Sequence, residues 1–283
     1  MIQKSYENNK SIFYIVPTPI GNLKDITYRA VEVLRDVDVI FAEDTRVTLQ
    51  LLKLLNINNK VIACHKFNEK QKVPVALKYL EEGKNIAMVT DRGTPLISDP
   101  GSVVVKEIIN HNFKVVALPG ACAFIPALNM SNISADKFLF YGFLNAKDSQ
   151  ALKELEMLKN INFTIVLYEA PHRVYKTLQN ILKILGNKNI SISREITKLH
   201  EEVFRGTVSE AIEIYKEPKG EFVIVIDNEE NEYNIDYEYL LSEVDRYVEL
   251  GLKSKDAIKE VANKFNFSRN ELYNLYQRRK KWS

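Results

Sequence analysis

The stretch that decides the fold joins Ile86-Ala-Met-Val-Thr90 to Asp91-Arg-Gly-Thr-Pro-Leu-Ile-Ser-Asp-Pro-Gly101 and then to Val103–Ile109. The first part is short and apolar, which predicts a strand, and the last part has the apolar spacing of a helix. The segment between them, the 91–101 loop, holds two Gly, two Pro and two Asp, more than a simple turn requires. A loop of this composition between a strand and a helix predicts a surface shaped around a ligand.

The same order of strand, loop and helix recurs on both sides of this stretch. Alternation of this kind predicts an α/β fold with a parallel or mostly parallel sheet. We expect a first α/β domain over residues 11–131. Its expected strands are Ile12–Val16, Val37–Ala42, Val61–Cys64, Ile86–Thr90 and Val115–Leu118, and its expected helices are Tyr28–Leu34, Thr48–Leu55, Val75–Leu80, Val103–Ile109 and Phe124–Leu128.

A second α/β domain is expected over residues 136–227, after a short polar linker. Its sequence again alternates apolar runs with segments of helical spacing. The expected strands are Phe138–Tyr141, Phe163–Leu167, Ile190–Ser193 and Phe222–Ile226, and the expected helices are Ser149–Leu158, Val174–Leu185 and Val208–Tyr215.

Residues 235–283 lack any β-rich run and predict a small helical module. Helices are expected over Ser254–Phe265 and Arg269–Lys280, a spacing compatible with a helix-turn-helix. The chain ends Gln277-Arg-Arg-Lys-Lys-Trp-Ser283, where four cations and an aromatic ring could contact RNA. The module could equally be a helical appendage that only packs or mediates dimerisation.

Composition narrows the class of protein. Lys and Arg number 39 against 37 Asp and Glu, so the net charge of +2 neither demands nor excludes a nucleic-acid partner. Cys64 and Cys122 are the only cysteines, so neither a disulfide framework nor a tetrahedral zinc site is expected. No apolar run approaches the roughly 20 residues of a membrane span. We therefore expect a cytoplasmic protein without a metal and without membrane attachment.

Ligands of open α/β sheets bind beyond the carboxyl ends of the strands, so the loops there are the candidate sites. The glycine-rich fingerprint of NAD-binding proteins and the phosphate-binding loop of ATPases are both absent, which argues against those cofactors. Pro17–Leu23 and Leu118–Ala123 are rich in small residues and proline and permit close approach to the backbone. Glu43–Arg46 can be a catalytic or substrate-orienting cluster, the start of a helix, where acids are favoured, or both.

Six segments in this order resemble one family closely. They are Val16-Pro-Thr-Pro-Ile-Gly-Asn-Leu23, Ala42-Glu-Asp-Thr-Arg46, the 91–101 loop, Tyr168-Glu-Ala-Pro-His-Arg173, Arg194-Glu-Ile-Thr-Lys198 and Lys219-Gly-Glu221. Together they are similar to the ribosomal RNA small-subunit methyltransferase I family, a branch of the tetrapyrrole methylase superfamily. The resemblance runs from about Phe13 to Asp227, and the 91–101 loop is its most specific part.

The resemblance implies two α/β domains with S-adenosylmethionine in the cleft between them, and a homodimer. It also implies methyl transfer to the ribose 2′-hydroxyl of a decoding-centre cytidine in 16S ribosomal RNA, within the small ribosomal subunit. The positions that match the family's cofactor loops are Pro17, Thr94, Pro95, Ile97, Gly120, Cys122, Ala123, Tyr168, Glu169, Gly206, Thr207 and Glu221.

Methyl transfer to a hydroxyl is helped by a base or by a cation that stabilises the forming alkoxide. The candidates are Glu43, Asp44, Glu195, Lys198 and Glu201, and the sequence does not choose among them. Contacts to RNA phosphates are expected from Arg46, His172 and Arg173. Arg92 stands where the family usually has a small residue, so it either crowds the loop or adds an RNA contact.

Two alternative functions remain open at this point. The first is methylation of a tetrapyrrole or another small molecule on the same scaffold. The second is a ribosome-assembly protein that binds RNA and has lost methyl transfer. The intact polar residues of the loops argue against the second alternative.

Overall fold

The computed structural model describes residues 2–5, 11–229, 237–265 and 267–282, without the side chains of 280–282. The chain divides into two compact units, Met1–Asn228 and Glu229–Ser283. No helix in these ranges is long and apolar enough to cross a bilayer. Residues 230–236, where the third expected domain begins, lie outside the described residues, so the three domain boundaries stay a prediction.

The first sheet is entirely parallel, as the sequence predicts. Its strands β1 to β5 lie in the order β3-β2-β4-β1-β5. Because all five strands run in the same direction, the loops after them meet at one edge of the sheet. The strands are β1 (Ile12–Ile15), β2 (Val39–Ala42), β3 (Val61–Ala63), β4 (Ile86–Val89) and β5 (Lys114–Ala117), and the helices are α1 (Tyr28–Asp36), α2 (Thr45–Leu54), α3 (Glu69–Glu81), α4 (Ser102–Asn110) and α5 (Phe124–Met130).

The second sheet has the order β6-β7-β10-β8-β9, and only β6 and β7 run parallel in it. The expectation of a mostly parallel sheet is therefore wrong here, because the sequence pattern does not distinguish a hairpin from a crossover connection. The strands are β6 (Phe138–Phe143), β7 (Thr164–Glu169), β8 (Asn189–Arg194), β9 (Glu202–Thr207) and β10 (Phe222–Ile226), and the helices are α6 (Asp148–Lys159), α7 (Pro171–Leu185) and α8 (Val208–Ile214).

Strand β9 is a second difference from the sequence analysis, which places Gly206 and Thr207 in a cofactor loop. The strand forms a hairpin with β8 and lies at the edge of the sheet, where its residues are partly or fully exposed. An edge strand of this kind carries charged side chains and lacks the apolar run that marks a buried strand. The sequence pattern therefore gave no signal for it.

The second unit contains the helices α9 (Tyr237–Glu249), α10 (Ser254–Lys264) and α11 (Arg269–Trp282). Helices α10 and α11 match the expectation, whereas α9 was not predicted. Leu240, Val244, Val261 and Tyr276 belong to the buried core of this unit. Arg279 of the basic tail forms an ion pair with Asp245. The side chains of Lys280, Lys281 and Trp282, on which the proposed RNA contact partly rests, lie outside the described residues.

Gly101 shows why the end of the 91–101 loop requires glycine. Its φ is +122°, a conformation that residues with a Cβ rarely adopt. A Cβ at this position would also overlap the terminal methyl of Met88, which is buried in β4. The loop can therefore return to the sheet and start α4 only if residue 101 has no side chain.

We predict that Gly101→Ala lowers the free energy of unfolding by about 2–4 kcal/mol, because left-handed strain adds to overpacking against Met88. Gly83→Ala is the matched control, since Gly83 also has positive φ but has open space where a Cβ would lie. The control should cost only about 1 kcal/mol. Urea unfolding of both variants checks this, and equal losses would contradict the packing account.

Candidate active site

A cavity of about 340 Å³ lies between the loop edge of the first sheet and the second sheet. Its volume is in the range of pockets that hold cofactors and other small molecules. The walls come from the 91–101 loop, the loop after β5, the end of β7 and the beginning of β10. The lining residues are Ile20, Arg92, Gly93, Thr94, Ile97, Ser98, Asp99, Cys122, Ala123, Phe143, Tyr168, Glu169, Ala170, Pro171, Ile196, Glu221, Phe222 and Val223.

The structure brings seven of the twelve expected cofactor residues to this cavity. They are Thr94, Ile97, Cys122, Ala123, Tyr168, Glu169 and Glu221. Four of them come from the first half of the chain and three from the second. The cavity therefore depends on residues far apart in sequence that the two sheets hold together.

The other five expected cofactor residues do not line the cavity: Pro17, Pro95, Gly120, Gly206 and Thr207. Gly120 packs against Pro17, so that a Cβ on Gly120 would lie 2.6 Å from the Pro17 Cβ. This pair supports the neighbouring loops from outside the cavity. Thr207 ends β9 and begins α8, where its side chain and Glu210 form a reciprocal capping box. Gly206 lies beside the same cap, since its Cβ would meet the Glu210 carboxylate.

The backbone of the 91–101 loop is held in an unusual conformation. Gly93, Leu96, Ser98 and Gly101 all have positive φ, and two of these four residues carry side chains. Such conformations are strained and are found preferentially at functional sites. The backbone of Gly93 exchanges two hydrogen bonds with Thr18, at 2.8 and 2.9 Å. The loop is therefore a fixed wall of the cavity.

Tyr168 connects the wall from β7 with the loop after β5. Its hydroxyl oxygen accepts the N–H of Phe124 at 3.2 Å and lies 4.0 Å from the sulfur of Cys122. Burial, followed by the proximity of Cys122, raises the pKa of Tyr168 far above its ordinary value, so the phenol keeps its proton. The ring of Phe140 packs edge-on against Tyr168 at 4.8 Å between centroids. This side of the cavity is thus apolar with one hydroxyl.

Glu169 is almost completely buried, and its carboxylate is fully engaged. It accepts the hydroxyl of Thr177 at 2.6 Å and the N–H of Ala170 at 2.9 Å, and Arg173 lies 3.4 Å away. Arg173 also donates to the carbonyls of Leu144 and Asn145, at 2.8 and 3.0 Å. Arg173 therefore holds this wall together, and its expected contact with RNA has no support in this geometry. His172, its neighbour, lies on the exposed side of α7.

The rim of the cavity carries a chain of ion pairs that joins the two halves of the first unit. Lys198 Nζ lies 3.0 Å from Glu195 and 2.5 Å from Glu221, and Arg92 binds the other oxygen of Glu221. Burial opposes ionisation of Glu195, but hydrogen bonds from Lys198 and from the N–H of Glu221 outweigh it, so the pKa of Glu195 is lowered. In this geometry Lys198 is a cationic donor held by two carboxylates, which favours stabilisation of negative charge over a role as base.

Like Glu195 and Lys198, the remaining catalytic candidates are not among the residues that line the cavity. Asp44 caps α2 and binds Arg46, and hydrogen bonds from Arg46 lower the pKa of Asp44 to about 2. The helix-start interpretation of this segment is thus confirmed for Asp44. Glu201 accepts the N–H of Thr197 at 2.5 Å. Glu43 accepts the hydroxyl of Thr90 at 2.6 Å, just behind the 91–101 loop.

Asp99 is the titratable side chain in the cavity lining that the sequence analysis did not single out. It belongs to the 91–101 loop and lines the cavity. Burial and the negative charges of Glu43 and Asp91 raise the pKa of Asp99. The hydroxyl of Thr90 lowers it, and the net result is a pKa of about 7. The two aspartates of the loop were visible in the sequence, but the sequence alone does not show which of them faces the cavity.

The expected RNA contacts lie at different depths. The Arg46 side chain is 86% exposed and paired with Asp44, whereas Arg92 is bound to Glu221 at the rim of the cavity. In the part of the chain that the structure describes, no group of three or more His, Cys, Asp or Glu side chains could hold a metal ion.

Residues 13–212 match the family model of tetrapyrrole (corrin/porphyrin) methylases. The chain is 42% identical over 279 residues to the ribosomal RNA small subunit methyltransferase I of Bacillus subtilis (strain 168), covering 95% of each chain. It is 39% identical over 283 residues to the protein of the same name from Halalkalibacterium halodurans, covering 97% of this chain and 98% of that one.

Two solved structures show the same fold at low sequence identity. The uroporphyrin-III C-methyl transferase of Thermus thermophilus, complexed with S-adenyl homocysteine, superposes with a TM-score of 0.56 at 15% identity, covering 77% of this chain and 98% of that chain. A diphthine synthase superposes with a TM-score of 0.61 at 12% identity, covering 76% of this chain and 89% of that chain.

We predict that Thr207→Ala lowers the free energy of unfolding by about 1 kcal/mol, because it removes the cap of α8. Affinity for S-adenosylhomocysteine should not change, since Thr207 does not line the cavity. Thr94→Ala is the contrasting variant and should weaken this affinity. Thr94 lines the cavity, and its hydroxyl donates to the carbonyl of Ala121 at 2.8 Å. Calorimetric titration measures both affinities; a weaker affinity in Thr207→Ala would place that residue in the pocket.

Proposed function

The chain belongs to the tetrapyrrole methylase family and, within it, to the ribosomal RNA small subunit methyltransferase I group, and from this premise we propose its acceptor. The acceptor is the 2′-hydroxyl of a cytidine ribose in the decoding centre of 16S ribosomal RNA, and the methyl donor is S-adenosylmethionine. Similarity to proteins of that name over almost the whole chain is the observation that carries the proposal.

The cavity fits the methyl donor. It is large enough for a nucleoside-sized ligand, and its walls combine apolar side chains with backbone groups of the 91–101 loop. The Thermus relative was solved with the demethylated form of this donor. Thr94, Ile97, Cys122, Ala123 and Tyr168 are the residues that would hold it. The donor supplies a methyl group already activated on a sulfonium, so the protein's task is positioning.

The protein's own residues can contribute to the reaction in three ways. The fixed 91–101 loop and the ring of Tyr168 exclude water and hold the reactants in line, which can lower the barrier by several kcal/mol. The cations Arg92 and Lys198 lie at the rim, where an RNA backbone would pass. A group inside the cavity must receive the proton of the attacking hydroxyl.

RNA binding further requires a surface outside the cavity. Because the net charge of the chain is only +2, any basic surface that binds RNA must be local. We assign this role to the second unit, Glu229–Ser283, whose helix α11 carries Arg269 and the basic tail. Arg92 at the rim and the exposed Arg46, which does not line the cavity, supply additional phosphate contacts. We also propose that the protein acts in the cytoplasm as a homodimer. Light scattering that gives the mass of a single chain would contradict the dimer.

We predict that labelled S-adenosylmethionine transfers its methyl group to small ribosomal subunits in the presence of the purified chain. Free 16S RNA and a tetrapyrrole are the competing acceptors in the same experiment. A methyl group on the 2′-oxygen blocks alkaline cleavage at that nucleotide, so a primer-extension gap in the alkaline ladder locates the site. Transfer to the tetrapyrrole with none to RNA would overturn the proposal.

We predict that a chain ending at Asn228 separates the two functions. Every residue that lines the cavity precedes Asn228, and the side chain of Asn228 keeps its hydrogen bonds to the carbonyls of Leu158 and Ile161. Affinity for S-adenosylhomocysteine should therefore stay within a few-fold, while affinity for small subunits should fall and lose part of its salt dependence. Filter binding at several salt concentrations measures this, and unchanged subunit affinity would remove the second unit from RNA docking.

A further inference from the structure

A ribose hydroxyl that attacks a methyl group must lose its proton, and the proposed function therefore requires an acceptor for that proton. The acceptor must reach the cavity and must have an oxygen or nitrogen lone pair that no cation occupies. Among the described residues, three carboxyl groups line the cavity: Asp99, Glu169 and Glu221. No histidine lines it.

Two of these three carboxyl groups are already engaged. Glu169 is buried with Thr177, the N–H of Ala170 and Arg173 around its oxygens. Glu221 binds Arg92 through one oxygen and Lys198 through the other. The oxygens of both carboxylates are therefore occupied by donors and are not free to take the proton of the substrate hydroxyl.

Asp99 differs because, within the described ranges, it makes no ion pair. The charged groups that act on it are the carboxylates of Glu43 and Asp91, and its hydrogen-bonding neighbour is the hydroxyl of Thr90. That hydroxyl has one hydrogen and lies 2.6 Å from Glu43, so it can donate to only one of the two carboxyl groups at a time. When Thr90 donates to Asp99 instead, it stabilises the ionised carboxylate, which is the direction in which Thr90 shifts the pKa of Asp99.

We propose that Asp99 is the catalytic residue that accepts the proton of the ribose 2′-hydroxyl, and that Thr90 and Glu43 position its carboxyl group. As the 2′-oxygen forms its bond to the methyl carbon, the O–H bond breaks and the proton passes to an Asp99 oxygen. The carbon–sulfur bond of the donor breaks, and its electron pair stays on sulfur. Charge balances, since the sulfonium becomes a neutral thioether and the carboxylate becomes a neutral acid.

The electrostatics of the site suit this role. Because burial and two neighbouring carboxylates raise the pKa of Asp99 to about 7, a substantial fraction of the enzyme carries the ionised, proton-accepting form at neutral pH. The same environment stabilises the neutral carboxylic acid that Asp99 becomes after the proton transfer. A base whose pKa lies near the working pH is largely in its proton-accepting form and still binds the proton strongly enough to assist the reaction.

The test is the single-turnover rate of methyl transfer to small subunits, measured with the full chain at saturating cofactor and RNA between pH 5.5 and 9. The wild-type rate should rise about tenfold per pH unit below pH 7 and then level off. Asp99→Asn should lower the plateau roughly 10²- to 10³-fold and abolish this inflection. Asp36→Asn, an exposed carboxyl at the end of α1 on the opposite edge of the sheet, is the matched control and should leave the profile unchanged.

Thr90→Val provides a second test that does not remove the base. The hydroxyl of Thr90 lowers the pKa of Asp99, so its loss should move the inflection to higher pH while most of the plateau rate remains. A carbon-13 NMR titration of labelled aspartate carboxyls, without any acceptor, should show one signal that titrates near pH 7 and is absent in Asp99→Asn.

The outcomes separate this proposal from the proposed function. A wild-type chain that methylates no RNA ends the proposed function before any variant is compared. With an active wild type, an unchanged rate and inflection in Asp99→Asn overturn the assignment of the base. Equal loss of rate and of S-adenosylhomocysteine affinity would overturn it as well, because Asp99 would then be a cofactor-binding residue. If Asp99→Asn does not fold, an inflection that stays in place in Thr90→Val decides against the proposal.

Discussion

The backbone path of the 91–101 loop is the constraint on which the rest of the site depends. Four of its residues adopt positive φ, and in two of them, Leu96 and Ser98, this conformation strains the backbone. The neighbours that hold this path are specific: Thr18 pairs with Gly93, and β6 has a glycine at position 142 where a Cβ would meet the Ser98 hydroxyl. The second sheet must therefore approach closely at that point for the cavity to form.

Charge in the cavity is distributed unevenly, and this distribution separates structural roles from chemical ones. Glu169 and Glu221 are bound by cations and fix the walls, one at the interior and one at the rim. Among the described residues, the groups that act on Asp99 are the carboxylates of Glu43 and Asp91 and the hydroxyl of Thr90. A site in which one acid is left without a cation beside two that are paired gives the unpaired acid a pKa suited to proton transfer near neutral pH.

Much of the first half of the fold is predictable because strands β2 and β4 are buried on both faces and read as continuous apolar runs; all four residues of each strand are buried. Strand β9 could not be found in this way, because an edge strand with Glu202 and Arg205 has no such run. The loops of the site were predicted from composition, but Asp99 was not singled out from Asp91. The orientation of Asp99 follows from the left-handed backbone conformations of Leu96 and Ser98. Residues other than glycine rarely adopt this conformation, so the sequence does not indicate it.

The proposed reaction requires that the cavity between the two sheets hold the methyl donor with Asp99 beside the reacting methyl group. A crystal structure of the full chain with S-adenosylhomocysteine and a cytidine-containing RNA fragment tests this claim most directly. We expect the cofactor to lie against Thr94 and Tyr168, with an Asp99 oxygen within about 3 Å of the ribose 2′-oxygen. A cofactor bound elsewhere, or a 2′-oxygen that faces Lys198 or Glu43 with Asp99 turned away, would contradict it.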